Sequence, residues 1–328
     1  MDLRDYLITS KLLGSYSESP GGSPGGGGSD DVEWIDDGNT HIWIDLPDGR
    51  TRPMLNCVVS NTVMVDWGDG SEQEVLTDTR GGTEYHVVHD YARPGEYVIT
   101  LSGGGVRTNE YLICSEPDRR DNRGLLYRNA VKKCEFGNNF THLGNNSTAG
   151  AFRNCSSLAN VKFSDVITFG NYAFSYCRSL KNVEIPGNGA ISANYIFNEC
   201  SSLESVILSG CTSIPAYAFS QCSCLTDIVI PETVTSIAES AFYGCTALAS
   251  IKIPGSVSYI KGNAFGNCYG MAFYDFTEHT SIPTLESTSV FTGNPTDFEI
   301  RVPMALVDEW KVATNWSTYA DQIVVKEV

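Results

Sequence analysis

No run of apolar residues in this 328-residue chain approaches the roughly 20 that a membrane-spanning helix needs. Basic residues are scarce as well. Lys and Arg total 22 against 39 Asp and Glu, a formal net charge of −17. There is no basic excess to displace counterions from a nucleic-acid backbone, and docking on anionic lipid is disfavoured. His41, His86, His89, His142 and His279 are scattered. The sequence has no H-E-x-x-H and no Walker loop, and no G-K-[ST] follows its glycine tract GGSPGGGG. Carboxylates are plentiful, but spacing singles out no pair. The expectation is a non-enzymatic protein with no cofactor, no metal, no nucleic-acid partner and no membrane insertion.

The acidity is uneven: residues 1–105 hold 18 acids and 6 bases, and residues 106–328 hold 21 and 16. The opening, MDLRDYLITSKLLGSYSESP, mixes charges, and Asp5, Thr9, Ser10 and Lys11 interrupt its apolar positions, so it does not read as a secretory signal. Leu3, Tyr6, Leu7, Ile8, Leu12 and Leu13 fit one short amphipathic helix over residues 1–14 that stops at Gly14. A Gly/Ser/Pro linker, flexible by composition, covers residues 15–30. So short a helix is marginal alone. It is either a disordered tail or an attachment peptide that buries its apolar face on a larger partner.

Residues 31–113 alternate in THIWIDL, NCVVSNTVMVDW and GEYVITLSG, with turns at PDG, GDGS and RPGE. Short strands at this spacing predict a β-sandwich. Asp66 and Asp69 are candidates for Ca²⁺ contact, although Asp69-Gly70 also suits a tight hairpin turn.

Residues 114–328 are dominated by a repeat. Phe152, Phe174, Phe197, Phe219, Phe242 and Phe265 recur at steps of 22 or 23. Cys155, Cys177, Cys200, Cys222, Cys245 and Cys268 follow, each three residues later. Then come Leu158, Leu180, Leu203, Leu225, Leu248 and Met271, and a short strand pattern. Pro186, Pro231 and Pro254 close three of the strands, where a missing N–H costs least. One such coil cannot bury its own Phe, Leu and Ile, but a stack of coils can. VKKCEFGNNFTHLG reads as the opening coil, with Cys134 at the position of Val161. ALVDEWKVA looks helical, and Trp310, Trp316 and Tyr319 are placed to cover the last coil.

Eleven cysteines raise disulfide and metal readings. Stacked strands lie about 4.8 Å apart, so neighbouring periodic cysteines come close. A ladder, however, points them all inward rather than at one another. The only close spacing is Cys222-Ser-Cys224. A buried, reduced ladder of small apolar residues is expected.

Two resemblances follow. VDWGDGSEQEV and VVHDYARPGEYVITLSG resemble PKD-type (polycystic-kidney-disease) immunoglobulin-like domains over about 80 residues, through Trp67, Gly68, Asp69 and Gly70, then His89, Tyr91, Pro94, Gly95 and Tyr97. Such domains are non-catalytic spacers or adhesion modules. The form A-F-x-x-C-x-x-L-x-x-[VI]-x-[IF]-P resembles the BspA-like leucine-rich repeats of bacteria and their phages, over roughly residues 130–328. That resemblance implies a right-handed solenoid with one short strand per coil. The expected architecture is therefore multidomain and β-rich: an immunoglobulin-like β-sandwich, then a BspA-type leucine-rich-repeat solenoid with a C-terminal helical and aromatic cap.

For binding, the repeat leaves two columns free. The outward residues of successive strands are Lys162, Glu184, Ile207, Val229, Lys252 and Asp275. Tyr172, Tyr195 and Tyr217 precede the Ala-Phe element one coil apart and give way to Ser240 and Asn263; Tyr243 is also unclaimed by the repeat. An aromatic strip of this kind suits a sugar or a protein, and it also suits mere shielding between coils. The start MDLRDYLITSKLLG before a glycine tract is similar to short leaders on accessory virion proteins of phages infecting gut bacteria. The leading expectation is a phage head or tail fibre or decoration protein, assembled in the host cytoplasm. Its N-terminal peptide would dock on a virion structural protein, and its solenoid would bind a host surface protein or glycan. The alternative is a bacterial cell-surface or secreted BspA-like adhesin binding host matrix proteins. Homo-oligomerisation is compatible with either.

Overall fold

The computed structural model describes residues 33–49, 51–109, 111–114, 127–144, 150–163, 168–186 and 191–325. The helix expected over 1–14 and the linker over 15–30 lie outside the described residues. The chain divides into two compact units, Met1–Ile35 and Asp36–Val328.

The second unit opens with β1 (Thr40–Leu46), β2 (Met54–Asp66), β3 (Glu74–Thr77), β4 (Thr83–Val88), β5 (Gly95–Thr108) and β6 (Ile113–Cys114). β2 and β5 run for 13 and 14 residues, longer than the short strands that alternation predicts. β2 carries a bulge: its pairing with β5 shifts between Ser60 and Val63, and Asn61 sits at φ 65°. Opposite the bulge lies Gly103-Gly104-Gly105. A Cβ on Gly104 would stand 2.3 Å from the Ser60 carbonyl oxygen, and one on Gly103 2.7 Å from that of Thr62. The triplet therefore continues the strand at a close backbone approach.

The coils carry β7 (Val131–Phe136), β8 (Phe140–Leu143), β9 (Asn160–Phe163), β10 (Thr168–Phe169), β11 (Asn182–Ile185), β12 (Ser205–Leu208) and β13 (Ser213–Ile214). They continue with β14 (Asp227–Val229), β15 (Ser236–Ile237), β16 (Ser250–Lys252), β17 (Tyr259–Ile260), β18 (Phe273–Asp275), β19 (Thr284–Leu285) and β20 (Glu299–Val302). The chain ends in α1 (Val307–Val312) and β21 (Ile323–Val325). The strands stack in two parallel columns, where the resemblance implied one strand per coil. One column runs β7-β9-β11-β12-β14, then β16-β18-β20-β21; the other runs β8-β10, then β13-β15-β17-β19.

The opening module seeds both columns. β1 pairs antiparallel with β7, setting Ile42 against Cys134 and His41 against Glu135. β5 pairs parallel with β8. Cys134 stands in register with Val161, so the opening coil begins at β7. One continuous cluster of buried side chains runs from Ile42 to Ile323.

Inside the solenoid the phenylalanines form a stack. Successive rings from Phe152 to Phe291 lie 5.3–5.9 Å apart, tilted by 1–14°. The last step, from Phe265 to Phe291, spans 26 residues and adds a coil that the 22–23 spacing does not show. Each fully buried phenylalanine contributes about 1.5–3 kcal/mol. The cysteines form the ladder expected of them, with one further role. The thiols of Cys177, Cys200, Cys222, Cys245 and Cys268 each donate to the carbonyl of the phenylalanine one coil back, Phe152, Phe174, Phe197, Phe219 and Phe242, at 3.1–3.3 Å. A cysteine thus fills a small apolar slot and supplies a weak donor there. In the last coil Asn294 replaces it, accepting the Cys268 N–H at 2.9 Å.

Burial pushes the thiols of Cys155, Cys200 and Cys268 up to about 12 and those of Cys177, Cys222 and Cys245 well above the usual range. Such thiols are inert. Cys224 alone is exposed among the ten cysteines whose burial is described. Titration of the native protein with a thiol reagent, followed by peptide mapping, is expected to label Cys224 and to spare the six periodic cysteines. Prompt labelling of Cys222 or Cys245 would contradict the ladder.

The C-terminus closes the stack. Trp310 and Trp316 are buried; Trp310 meets Phe276 edge-on at 5.7 Å, and the Trp316 indole N–H donates to the Pro283 carbonyl at 2.7 Å. Tyr319 meets Phe291 edge-on. β21 adds one more parallel rung to β20. Among the described residues no helix is long and apolar enough to cross a membrane.

Candidate functional site

The tyrosine column is built on unusual backbone. Tyr172, Tyr195 and Tyr217 lie at φ 60°, 60° and 56°, and Ser240 and Asn263 continue the column at 52° and 55°. Gly150 heads it at φ 44°, where a Cβ would stand 2.2 Å from the Tyr172 carbonyl oxygen. Left-handed backbone suits Gly and Asn; for a bulky residue it is an outlier. The geometry arises because each Ala-Phe element turns tightly, with a second left-handed residue two positions after the phenylalanine: Asn154, Tyr176, Glu199, Gln221, Gly244 and Asn267.

The three tyrosine rings stack at 4.6 Å and 4.4 Å, within 11° of parallel. Stacking of this kind contributes about 0.5–1.5 kcal/mol per pair beyond area, comparable to the left-handed backbone cost of about 1–2 kcal/mol per residue. Arg153 lies 4.8 Å from the Tyr172 ring centroid. At the other end the Tyr217 hydroxyl donates to Glu239 at 3.2 Å. Burial, with Tyr217 and Tyr172 alongside, pushes the Tyr195 hydroxyl up. The ring faces between Tyr172 and Tyr217 are covered by one another, so what the ladder presents is a line of ring edges and hydroxyls. A sugar ring has no open face to stack on between them.

The strand row is also present but uneven. Registers place Glu135 beside Lys162, Glu184 beside Ile207, Ile207 beside Val229, and Lys252 beside Asp275. Several of its charges already have partners. Lys162 bridges Glu135 at 3.1 Å and Asp36 at 2.5 Å, and Lys252 pairs with Glu278. Glu184 is exposed, Ile207 is half-buried, and Val229 is 46% exposed. Tyr243 lies elsewhere, on the turn, where its hydroxyl accepts the Asn267 amide at 2.5 Å.

In the opening module the resembling residues interlock. The Trp67 ring is buried and stacks on His89 at 4.6 Å and 6°. The Tyr91 hydroxyl donates to the Trp67 carbonyl at 2.9 Å. Asp69 bonds His89 at 2.9 Å and accepts the Ser71 N–H at 3.0 Å. Asp66 accepts from Gly68 and Gln73. Both candidate Ca²⁺ carboxylates are therefore committed to turn contacts. Burial opposes the Asp69 charge, but its hydrogen bonds with Ser71 and His89 win and hold the carboxyl at about 2, against an ordinary 3.8. A lowered folded-state value stabilises the fold above the unfolded value, and that stabilisation is lost as the proton returns. Native Asp69 is thus expected to contribute above about pH 4 and to stop contributing between about pH 4 and 2. Asp69→Asn should flatten the acid limb of a urea-unfolding pH profile; an identical limb in the variant would reject the assignment.

Sequence reasoning had no sign of the Arg153 and Glu239 ends of the ladder. It also missed the left-handed backbone, for which Gly150 and Asn263 in the same column were the available signal.

Comparison with known proteins matches residues 145–272 to the model for the BspA type leucine rich repeat region, in 6 copies. No curated protein matches the chain. Among solved structures, a leucine rich cell surface protein from Faecalibacterium prausnitzii A2-165 is 27% identical over 56% of this chain and 47% of its own, with a TM-score of 0.43. A leucine-rich repeat protein from Bacteroides ovatus ATCC 8483 is 21% identical over 60% of this chain and 55% of its own, TM-score 0.44. The leucine rich repeat protein of T. pallidum is 23% identical over 56% and 76%, TM-score 0.43. The chain thus spans about half the length of the first two. Matched sequence, stacked coils and inward cysteines agree that residues 145–272 are a solenoid of BspA-type leucine-rich repeats.

Proposed function

We propose that this is a non-enzymatic recognition protein of a bacterial surface, either attached or secreted, which adheres to a host protein through the turn face of its solenoid. The observation that carries this is the ladder of Tyr172, Tyr195 and Tyr217 on left-handed backbone. Strain kept at the surface, where smaller residues would relieve it, points to use. The line of hydroxyl edges between Arg153 and Glu239 favours the varied hydrogen-bonding surface of a protein over sugar stacking. Residues 31–113 serve in this reading as a PKD-like immunoglobulin-type spacer; the Trp67, His89 and Tyr91 cluster supports that assignment. The repeat match supports the solenoid part of this reading. The virion reading rests on Leu3, Tyr6, Leu7, Ile8, Leu12 and Leu13, which lie outside the described residues. Antibody labelling of intact cells, against co-purification with phage particles, separates the two locations.

The test replaces Tyr172, Tyr195 and Tyr217 together by Asn, which tolerates left-handed backbone. The variant is expected to keep a near-native Tm and to lose adhesion to surfaces coated with gelatin or mucin. Undiminished adhesion of the variant rejects the ladder. Failure of the wild-type protein to adhere to either coat rejects the adhesive reading.

A further inference from the structure

Four of the five histidines have a polar partner or face water. His41 meets Asp37 and His89 meets Asp69, the His86 ring meets the Asn56 side-chain carbonyl at 2.7 Å, and His142 is exposed. His279 differs. It sits on the turn after β18, only 3% exposed, and its ring lies 5.2 Å from Phe276 and 5.9 Å from Trp310. Its Nε2 is buried with no hydrogen-bond partner among the described residues, and the same holds for the Trp310 indole N–H. Trp310 is the one buried residue of α1, a helix without a side-chain N-cap. The cap helix is therefore seated by a single ring, and that ring rests on Phe276, His279 and Trp316.

The surroundings give a positive charge at His279 little support. On its own turn, Glu278 is exposed and already paired with Lys252 of β16. Asp275 of β18 accepts from Thr277, and Arg301 of β20 is held by Glu299. α1 adds Asp308, Glu309 and Lys311, all exposed. Among the described residues no carboxylate forms an ion pair with the imidazole. Burial pulls the ring below its ordinary 6.5, against the backbone carbonyls of Ile253, Ser281 and Pro254 and the Glu278 charge, which favour a proton.

We propose that His279 is an acid-operated latch on the C-terminal cap. Neutral, it seats Trp310 and holds α1 and β21 over the last coil; protonated, it lets them go. A buried imidazolium among aromatic rings is costly, and the cheapest way to hydrate it is to lift the one ring that anchors α1. The rest of the molecule need not follow, because β21 meets β20 at only three paired positions and each coil is held by its neighbours alone. The sign is that of a depressed value: the stabilisation is complete above about pH 6.5 and is lost as the pH falls through the folded-state value. Loss thus begins well above the window of about pH 4 to 2 in which Asp69 titrates. The latch is independent of the tyrosine ladder and of what the ladder binds.

The test is amide hydrogen exchange of the full chain, read by mass spectrometry at about pH 7.5 and about pH 5, with rates corrected for intrinsic exchange. Peptides covering α1 and β21 are expected to lose protection by about tenfold at the lower pH, while those covering β1 and β2 keep theirs. His279→Phe keeps an aromatic ring in the slot and cannot titrate, so its cap should stay protected at both pH values. An unchanged wild-type cap overturns the proposal, as does equal loss in β1 and β2 or an acid response that persists in His279→Phe. Exchange of the imidazole Cε1–H in the wild-type protein needs no variant. It should place the His279 midpoint below that of exposed His142, and a midpoint at or above 6.5 overturns the latch even if His279→Phe does not fold.

Discussion

Phe219→Ala is expected to lower stability by about 3–5 kcal/mol, the largest effect of any single side-chain truncation considered. Phe219 is fully buried and lies 5.7 Å from Phe197 and 5.4 Å from Phe242, nearly parallel to both. Its removal opens a cavity that both neighbours line, so the loss includes contacts on two sides. The Cys245 thiol and the Cys222 N–H both bond the Phe219 carbonyl, which holds the backbone in place and hinders collapse into the space. Because each coil touches only its neighbours, damage in the middle of a stack weakens coupling between its halves. Thermal unfolding followed by circular dichroism should show a Tm lowered by on the order of 10 °C and a broader transition. Phe219→Leu should recover more than half of the loss. A drop of less than about 1 kcal/mol for the alanine variant would mean that the phenylalanine stack is not the main stabilising column.

Gly104→Ala is expected to be nearly as damaging, although it adds only one methyl group. That carbon would meet the Ser60 carbonyl oxygen at 2.3 Å, the Thr62 carbonyl oxygen at 3.0 Å and the Asn61 Cβ at 3.1 Å. Two of the three are backbone atoms of the β2 bulge and have no rotamer to escape into. Overpacking of this sort costs about 1–3 kcal/mol or more, and β5 cannot retreat, because it is paired with β1, β2 and β8 at once. Gly49→Ala is the control: its φ is +73° but nothing lies within 4 Å of the added carbon, so it should cost only about 1–2 kcal/mol. Urea titration should rank Gly104→Ala well below Gly49→Ala. Equal stabilities would show that β2 and β5 do not approach as closely as described.

The contrast between these two positions marks how far the sequence was legible. Phe219 was visible because a repeated slot demands a repeated residue: Phe, Cys and Leu recur at 22 or 23 because every coil presents the same space to the next. The cysteines lost their chemical ambiguity for the same reason. Gly104 was not visible, because its constraint comes from a bulge 44 residues earlier, and a glycine triplet after a strand pattern reads as the strand's end. The coil at Phe291 escaped the spacing because a longer loop precedes it and Asn294 stands where a cysteine is expected. The tyrosine column was seen as a column, but its left-handed backbone depends on the turn geometry, which hydrophobic pattern does not encode. The join between the opening module and the coils could not be read at all, since it is an antiparallel pairing between β1 and β7 that no repeat announces.

That pairing has a mechanical consequence. β1 is an interior strand, hydrogen-bonded along its length to β5 on one side and to β7 on the other. A pull along β1 loads both ladders in shear, so the bonds share the force and break together rather than in sequence. The parallel rungs at the far end, β20 and β21, are joined by three paired positions and can peel away one coil at a time. A molecule tensioned from its N-terminal side would therefore yield from its distal coils inward, and the strand nearest the tether would be the last to let go.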